Sequence, residues 1–224
     1  MLFDPALLPH ADPSVFDPES GEPVGVGGRG AAWFVRTDAG AAVLRHYRRG
    51  GIVARFSRNT YLWNGAERTR SFREFRLLQA LRERGLPVPV PLAAAYWRSG
   101  TGYRAALLMA RLAGTESMGA LFDRGVAPPW SDIGRTIARF HRIGACHADL
   151  NVDNVLMDAN GMCWLIDFDR GALRTPTRGW QQANIARLHR SLRKRLGARA
   201  KGSAIVAGWN AMLDAYRTAL QEPA

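Results

Sequence analysis

Lysine is almost missing from this 224-residue chain: the only two are Lys194 and Lys201, both in its last quarter. Any cation needed before residue 194 must therefore be arginine, a planar fork rather than a point charge. Cysteine is nearly as scarce, with Cys146 and Cys163 alone. Both lie in apolar surroundings and read as small buried thiols, since nothing suggests the oxidising compartment a disulfide needs. No apolar run approaches the roughly 18 residues that would cross a bilayer. The opening stretch, MLFDPALLPHADPSVFDPESGEP, is acidic and broken by proline. It has neither the basic start nor the continuous apolar stretch of a secretory signal, so the chain is expected in the cytoplasm. Internal repeats and low-complexity tracts are also absent.

What the chain has in excess is positive charge: 31 Lys and Arg against 19 Asp and Glu, a formal +12. Such a balance favours an anionic partner, whether nucleic acid, anionic lipid or a phosphorylated substrate. No nucleic-acid recognition motif accompanies it, so nucleic acid is not expected. Between residues 47 and 70 basic and aromatic residues interleave: Tyr47, Arg48, Arg49, Arg55, Arg58, Tyr61, Leu62, Trp63, Arg68 and Arg70. That mix suits a lipid interface or an anionic sugar pocket, and equally a solvated basic loop.

The length allows one full-sized core or two small lobes sharing a cleft. Residues 1–22 read as an irregular arm. A glycine-rich stretch containing Gly25, Gly27, Gly28 and Gly30 precedes two β-rich runs, 32–36 and 42–47, around a turn at 37–40. Residues 48–65 read as a loop or short helix. Phe72, Phe75 or Arg76, Leu78 and Leu81 with Arg82 recur near a 3.6-residue period, predicting a helix over 69–84 that Gly85 stops. Three prolines follow, then strand-like runs at 92–97 and 104–110. From there the pattern turns helical: a helix over 131–143, short strands at 155–157 and 163–166 around Asn160-Gly161, and helices over 181–196 and 205–220. The first of these last two carries Arg187, Arg190, Arg193, Lys194 and Arg195, a set that suits a lipid interface or an anionic sugar pocket, and at least equally a solvated face. The expected division is thus an arm (1–22), a β-rich part (23–110) and a mainly helical part (111–224).

The chemistry concentrates in His147-Ala148-Asp149-Leu150-Asn151-Val152-Asp153-Asn154 and in Leu165-Ile166-Asp167-Phe168-Asp169. Phosphoryl transfer needs a carboxylate beside the attacking hydroxyl and oxygen ligands for magnesium on the ATP phosphates. Asp149 and Asn154 stand in a loop after a helix, and Asp167 at the end of a buried strand, a rigid place for a metal ligand. Turn formation alone would account for the Asp and Asn residues of the first motif, but not for the apolar strand leading to Asp167.

The pattern H-x-D-x-x-x-x-N, then an apolar strand and D-F-x, resembles the catalytic and metal loops of the protein-kinase-like superfamily. The resemblance implies an α+β, bilobal fold with a small antiparallel β-rich N-lobe and a helical C-lobe. It makes Asp149 the catalytic aspartate, gives magnesium to Asn154 and Asp167, and makes His147 a structural residue. It also sets the glycine loop (Gly25, Gly27, Gly28, Gly30) over the ATP phosphates and assigns the phosphate-clamping cation to Arg45, with Glu74 as its partner. Arginine in place of lysine, and Asp169 in place of glycine, depart from the protein-kinase pattern. The short chain after Asp169, without an A-P-E motif, leaves little room for a protein substrate.

The segments GRGAAWFV, LRHYRRGG, TRSFREFRLL, HADLNVDN and LIDFDRG, spread over roughly residues 25–195, look like the bacterial 3-deoxy-D-manno-octulosonic acid (Kdo) kinase family. That family implies transfer of the ATP γ-phosphate to the 4-hydroxyl of a Kdo residue on a lipid A precursor. It also implies peripheral residence at the cytoplasmic face of the inner membrane, where a basic protein is drawn to an anionic surface. Within that family the two departures are ordinary. From the residues alone, a kinase of another small molecule (heptose or aminoglycoside type) and a non-catalytic kinase-fold module remain open.

Overall fold

A computed structural model describes residues 1–9, 12–17, 21–24, 32–47 and 60–222. The glycine loop expected at Gly25, Gly27, Gly28 and Gly30, and the basic positions Arg48, Arg49, Arg55 and Arg58, lie outside the described residues. Two compact units emerge: Met1–Ala80 with Pro89–Arg111, and Leu81–Val88 with Leu112–Ala224. The class is α+β, with an antiparallel N-terminal sheet and a helical C-terminal part, consistent with a kinase-like fold.

The first unit is built on seven antiparallel strands: β1 (Leu2–Phe3), β2 (Glu22–Pro23), β3 (Ala32–Thr37), β4 (Gly40–His46), β5 (Tyr61–Leu62), β6 (Pro91–Ser99) and β7 (Gly102–Ala110). Their order is β1-β6-β7-β4-β3-β2, and β5 pairs with β7 through Tyr61 opposite Tyr103. Residues 92–95 are buried without the alternation of a half-exposed strand, because β6 is covered on both faces. Ala93, Ala95 and Trp97 face a cluster of Leu8, Phe16, Val35, Leu44 and Leu108. On the other face Tyr96 meets Phe72 of helix α1 (Arg70–Glu83), with ring centroids 5.4 Å apart. Full burial of side chains such as Phe75 and Leu78 contributes about 1.5–3 kcal/mol each.

Two expectations need correction here. The arm over residues 1–22 is not irregular throughout: Leu2 and Phe3 pair with Ala94 and Ala93, and Leu8 and Phe16 enter the core. Its prolines break long elements, yet its apolar residues still have a sheet face to cover. Tyr61 and Leu62, read as loop or short helix, form an edge strand.

The second unit contains β8 (Glu116–Ser117), α2 (Met118–Asp123), α3 (Trp130–Arg142), β9 (Ala145–Cys146), β10 (Val155–Met157), β11 (Cys163–Leu165), β12 (Ala172–Leu173), α4 (Arg178–Leu196) and α5 (Ser203–Gln221). Neither β8 nor α2 is visible as periodicity, both being too short to carry one. On α3 the stripe Ile133, Ile137, Phe140 is buried. Gly134 lets the α5 backbone close on α3: a Cβ there would lie 2.2 Å from the Met212 carbonyl oxygen. Gly144 ends the turn after α3 at φ +80°, where a Cβ would meet the Arg174 carbonyl oxygen at 1.9 Å. That close approach lets β12 pair with β9, Ala172 opposite Cys146. The entry to residues 147–154 and the exit from residues 167–171 are thereby fastened side by side. Among the described residues, no helix is long and apolar enough to cross a membrane.

Candidate functional site

In the first unit, strand alternation places Arg45 on the face of β4 opposite the buried Leu44, the face toward α1. There Arg45 pairs with Glu74, whose side chain is 1% exposed against 16% for Arg45. Tyr47 donates its hydroxyl to Glu74 Oε2 at 2.7 Å and accepts from Arg45 Nη2 at 3.3 Å. Burial, then the neighbouring Glu74 carboxylate, push the Tyr47 phenol well above its ordinary range, so it stays a donor. The result is a carboxylate taken out of water and held by a guanidinium and a phenol.

In the second unit, four residues close a ring of hydrogen bonds. Asn154 Nδ2 donates to the Asp149 carbonyl oxygen at 2.9 Å. The Asn154 carbonyl oxygen accepts from Ile166 N at 3.1 Å. The Ile166 carbonyl oxygen faces His147 Nε2 at 2.8 Å, and Asp149 N donates to His147 Nδ1 at 3.1 Å. A carbonyl can only accept and an amide N–H can only donate, so His147 is neutral with its proton on Nε2. Burial lowers its pKa, in keeping with that state. The imidazole thus ties Asp149 to the residue immediately before Asp167. Phe168 packs at a tilt 4.6 Å from His147 and stacks 5.7 Å from Phe140, anchoring the second motif in the core. Asp167 itself has φ +61°, a left-handed conformation that aspartate tolerates better than most residues. Asn151 Oδ1 accepts from Asp153 N at 2.9 Å and from Asn154 N at 3.2 Å, folding the intervening turn.

Helix α4 reads this loop along one face. Asn184 Oδ1 accepts from His147 N at 3.2 Å and its Nδ2 donates to the His147 carbonyl at 2.9 Å. Arg187 Nη1 reaches Asp149 Oδ1 at 2.7 Å, Val152 N donates to Ser191 Oγ at 3.2 Å, and Arg195 Nη1 lies 3.3 Å from Asp153 Oδ1. Positions 184, 187, 191 and 195 are successive turns of one helix face, flanked by the buried Leu188, Leu192 and Leu196. Sequence reasoning gave this helix a general anionic or solvated role and did not connect it with the loop at 147–154. The leucine stripe Leu188, Leu192 and Leu196 marks which side of the helix is buried, but not which of its polar residues meet the loop.

Asn184 also faces His141, whose Nε2 is 3.4 Å from Asn184 Oδ1 and whose Nδ1 is 2.8 Å from the Tyr216 hydroxyl. Burial lowers the His141 pKa from 6.5 to about 4. The unfolded chain therefore binds more protons between those two values, and this contribution to stability is complete above pH 6.5 and lost as pH falls toward 4. Urea unfolding at pH 7.5 and at pH 4.5 is expected to differ by roughly 2–3 kcal/mol more in the wild type than in His141→Gln. Equal pH dependence in the two would contradict the assignment.

The donor set fits magnesium. Asn154 commits its amide nitrogen to the Asp149 carbonyl, which leaves its side-chain oxygen as a hard donor, and Asp167 supplies a carboxylate from the second motif. Among the described residues no three His, Cys, Asp or Glu side chains group as a metal cage. Magnesium needs none, because it takes its remaining ligands from phosphate and water. Cys146 and Cys163 are both buried and unpaired with each other, and burial pushes the Cys163 thiol up to about 12.

A family model described as the lipopolysaccharide kinase (Kdo/WaaP) family matches residues 16–216. A 3-deoxy-D-manno-octulosonic acid kinase of Xanthomonas campestris pv. campestris (strain B100) is 56% identical over 209 residues, covering 90% of this chain and 83% of its own. The protein of the same name from Stenotrophomonas maltophilia (strain R551-3) is 54% identical over 207 residues, covering 89% and 82%.

Proposed function

The chain belongs to the lipopolysaccharide kinase (Kdo/WaaP) family, and from that premise we propose that it phosphorylates the 4-hydroxyl of a Kdo residue on a lipid A precursor, with ATP as donor. The observation that carries the reading is the hydrogen-bonded ring joining Asp149, Asn154 and the residue before Asp167 through His147. A ring of that kind fixes a carboxylate and two oxygen ligands relative to one another before substrate arrives, which is what preorganised phosphoryl transfer requires.

In this reading Asp149 accepts the proton of the acceptor hydroxyl as its oxygen attacks the γ-phosphorus and the bond to the ADP oxygen breaks. Arg187 holds the carboxylate toward the reacting centre. Asn154 and Asp167 would hold magnesium, which would supply charge neutralisation on the phosphates. Arg45, braced by Glu74 and Tyr47, contacts the α- and β-phosphates, and Gly25, Gly27, Gly28 and Gly30 cover them from their backbone N–H groups. His147 positions the loop and exchanges no proton. The +12 charge favours a peripheral place on the anionic inner leaflet, at about 1 kcal/mol per basic residue near the surface.

Incubation with Kdo-lipid A precursor, ATP and magnesium is expected to add one phosphate to the acceptor mass, with fragmentation placing it on the Kdo 4-oxygen. No gain from folded, ATP-binding protein would refute the acceptor assignment; phosphate on another oxygen would refute the position.

A further inference from the structure

The catalytic loop and helix α4 enclose a cavity of about 540 Å³, lined by Asp149, Asn151 and Asp153 on one side and by Arg187, Arg190, Ser191, Lys194 and Arg195 on the other. Each acidic side chain in it already has a cation: Asp149 has Arg187, and Asp153 has Arg195. Arg195 also pairs with Asp123, its Nε donating to Oδ1 at 2.9 Å. Among the described residues, Arg190 and Lys194 enter no ion pair. The charge left over in the cavity is therefore theirs, and it is positive.

This arrangement has a cost without a ligand. Arg187, Arg190 and Lys194 fall three and four residues apart on one helix, where like charges repel. Only the first is neutralised within the chain. A pair of uncommitted cations, one lysine among the only two in the protein, beside the carboxylate that faces the reacting hydroxyl is a receptor for an oxyanion. Resting on the kinase reading above, we infer that this cavity is the acceptor subsite, in which Arg190 and Lys194 bind the carboxylate of an acid sugar. Along the α4 axis positions 190 and 194 are about 4.5 and 10.5 Å beyond position 187, at 1.5 Å per residue. With the reach of the Arg190 and Lys194 side chains, one acid sugar can place its carboxylate on these cations and turn a hydroxyl to Asp149. Specificity for an acid sugar over a neutral one follows, because a neutral acceptor would leave two desolvated cations uncompensated.

The test uses the full chain and the double variant Arg190→Gln/Lys194→Gln. Both side chains are exposed, so melting temperature is expected to hold and serves as the folding control. With Kdo-lipid A precursor in neutral detergent micelles, acceptor KM is expected to rise on the order of 10- to 100-fold while KM for ATP stays within about twofold. In a second arm, free Kdo and its methyl ester are titrated against wild-type protein with 15N-labelled arginine. Kdo is expected to shift Arg side-chain N–H resonances at concentrations where the ester, lacking the charge, does not. Wild-type turnover with an unchanged acceptor KM in the variant would overturn the subsite and leave the kinase reading intact. Absent wild-type turnover would strike that reading instead; the subsite would then stand or fall on the titration, where equal binding of acid and ester overturns it. Weakened binding of the variant to phosphatidylglycerol vesicles with unchanged KM in micelles would assign the cations to the membrane surface and also overturn the subsite.

Discussion

Replacing Asp149 by asparagine is expected to lower turnover by about 10³-fold or more while affinity for ATP with magnesium stays within about threefold. A loss of that size corresponds to about 4 kcal/mol of transition-state stabilisation. Asparagine keeps the shape of the side chain and can still accept from Arg187 through Oδ1, but it cannot take a proton. The backbone of residue 149 supplies the contacts that hold the loop, its N–H to His147 and its carbonyl to Asn154, and the substitution leaves both. The carboxylate is 56% exposed, so folding stability is expected to change by no more than about 0.5 kcal/mol. Single-turnover phosphate transfer, together with a thermal-shift titration of ATP and magnesium, separates chemistry from binding. Turnover like that of the wild type would remove Asp149 from its role. Loss of nucleotide binding along with turnover would mean that the residue holds the nucleotide rather than the acceptor proton.

The asymmetry between what the sequence discloses and what it hides has a physical basis. The segment around His147 and Asp149 is readable because its chemistry is local: the spacing to Asn154, and the apolar strand before Asp167, are features of contiguous residues. Helices α1 and α3 are readable for the same reason, since Phe72, Phe75 and Leu78, or Ile133, Ile137 and Phe140, repeat at the helix period. Asn184, Arg187, Ser191 and Arg195 are different. Each is an ordinary polar residue on a helix already rich in arginine, and its partner lies 37 to 42 residues earlier in the chain. Nothing local distinguishes Arg187, bound to Asp149, from Arg190, which is not. The same holds for Leu2, Phe3, Leu8 and Phe16: among prolines they carry no periodicity, and only the sheet they cover gives them a place. His147 is an intermediate case. Its motif position marks it as structural, but the closed ring appears only when the Ile166 carbonyl is brought against Nε2.

Removing the guanidinium of Arg45 should be the most damaging change in the β-rich unit. In Arg45→Met the Glu74 carboxylate stays buried with its bonded cation gone, and unfolding free energy is expected to fall by about 3–5 kcal/mol. Tyr47 still donates to Glu74 Oε2, but a neutral donor does not replace a guanidinium beside a charge held out of water. This loss would confound any activity measurement, because a partly unfolded enzyme and an enzyme without a phosphate clamp both turn over slowly. A second substitution separates them. In Arg45→Met/Glu74→Gln both charges of the pair are gone, and glutamine still accepts from Tyr47, so at least half of the lost stability is expected to return. Activity should not return with it: kcat/KM for ATP is expected to remain about 100-fold or more below the wild type, since no cation then meets the phosphates from this strand. Stability is read from urea unfolding and activity from initial rates on samples shown to be folded. Recovery of both in the double variant would make Arg45 a brace for Glu74 and nothing more. Recovery of stability alone assigns the phosphate contact to Arg45, the role that a chain without an early lysine has to give to an arginine.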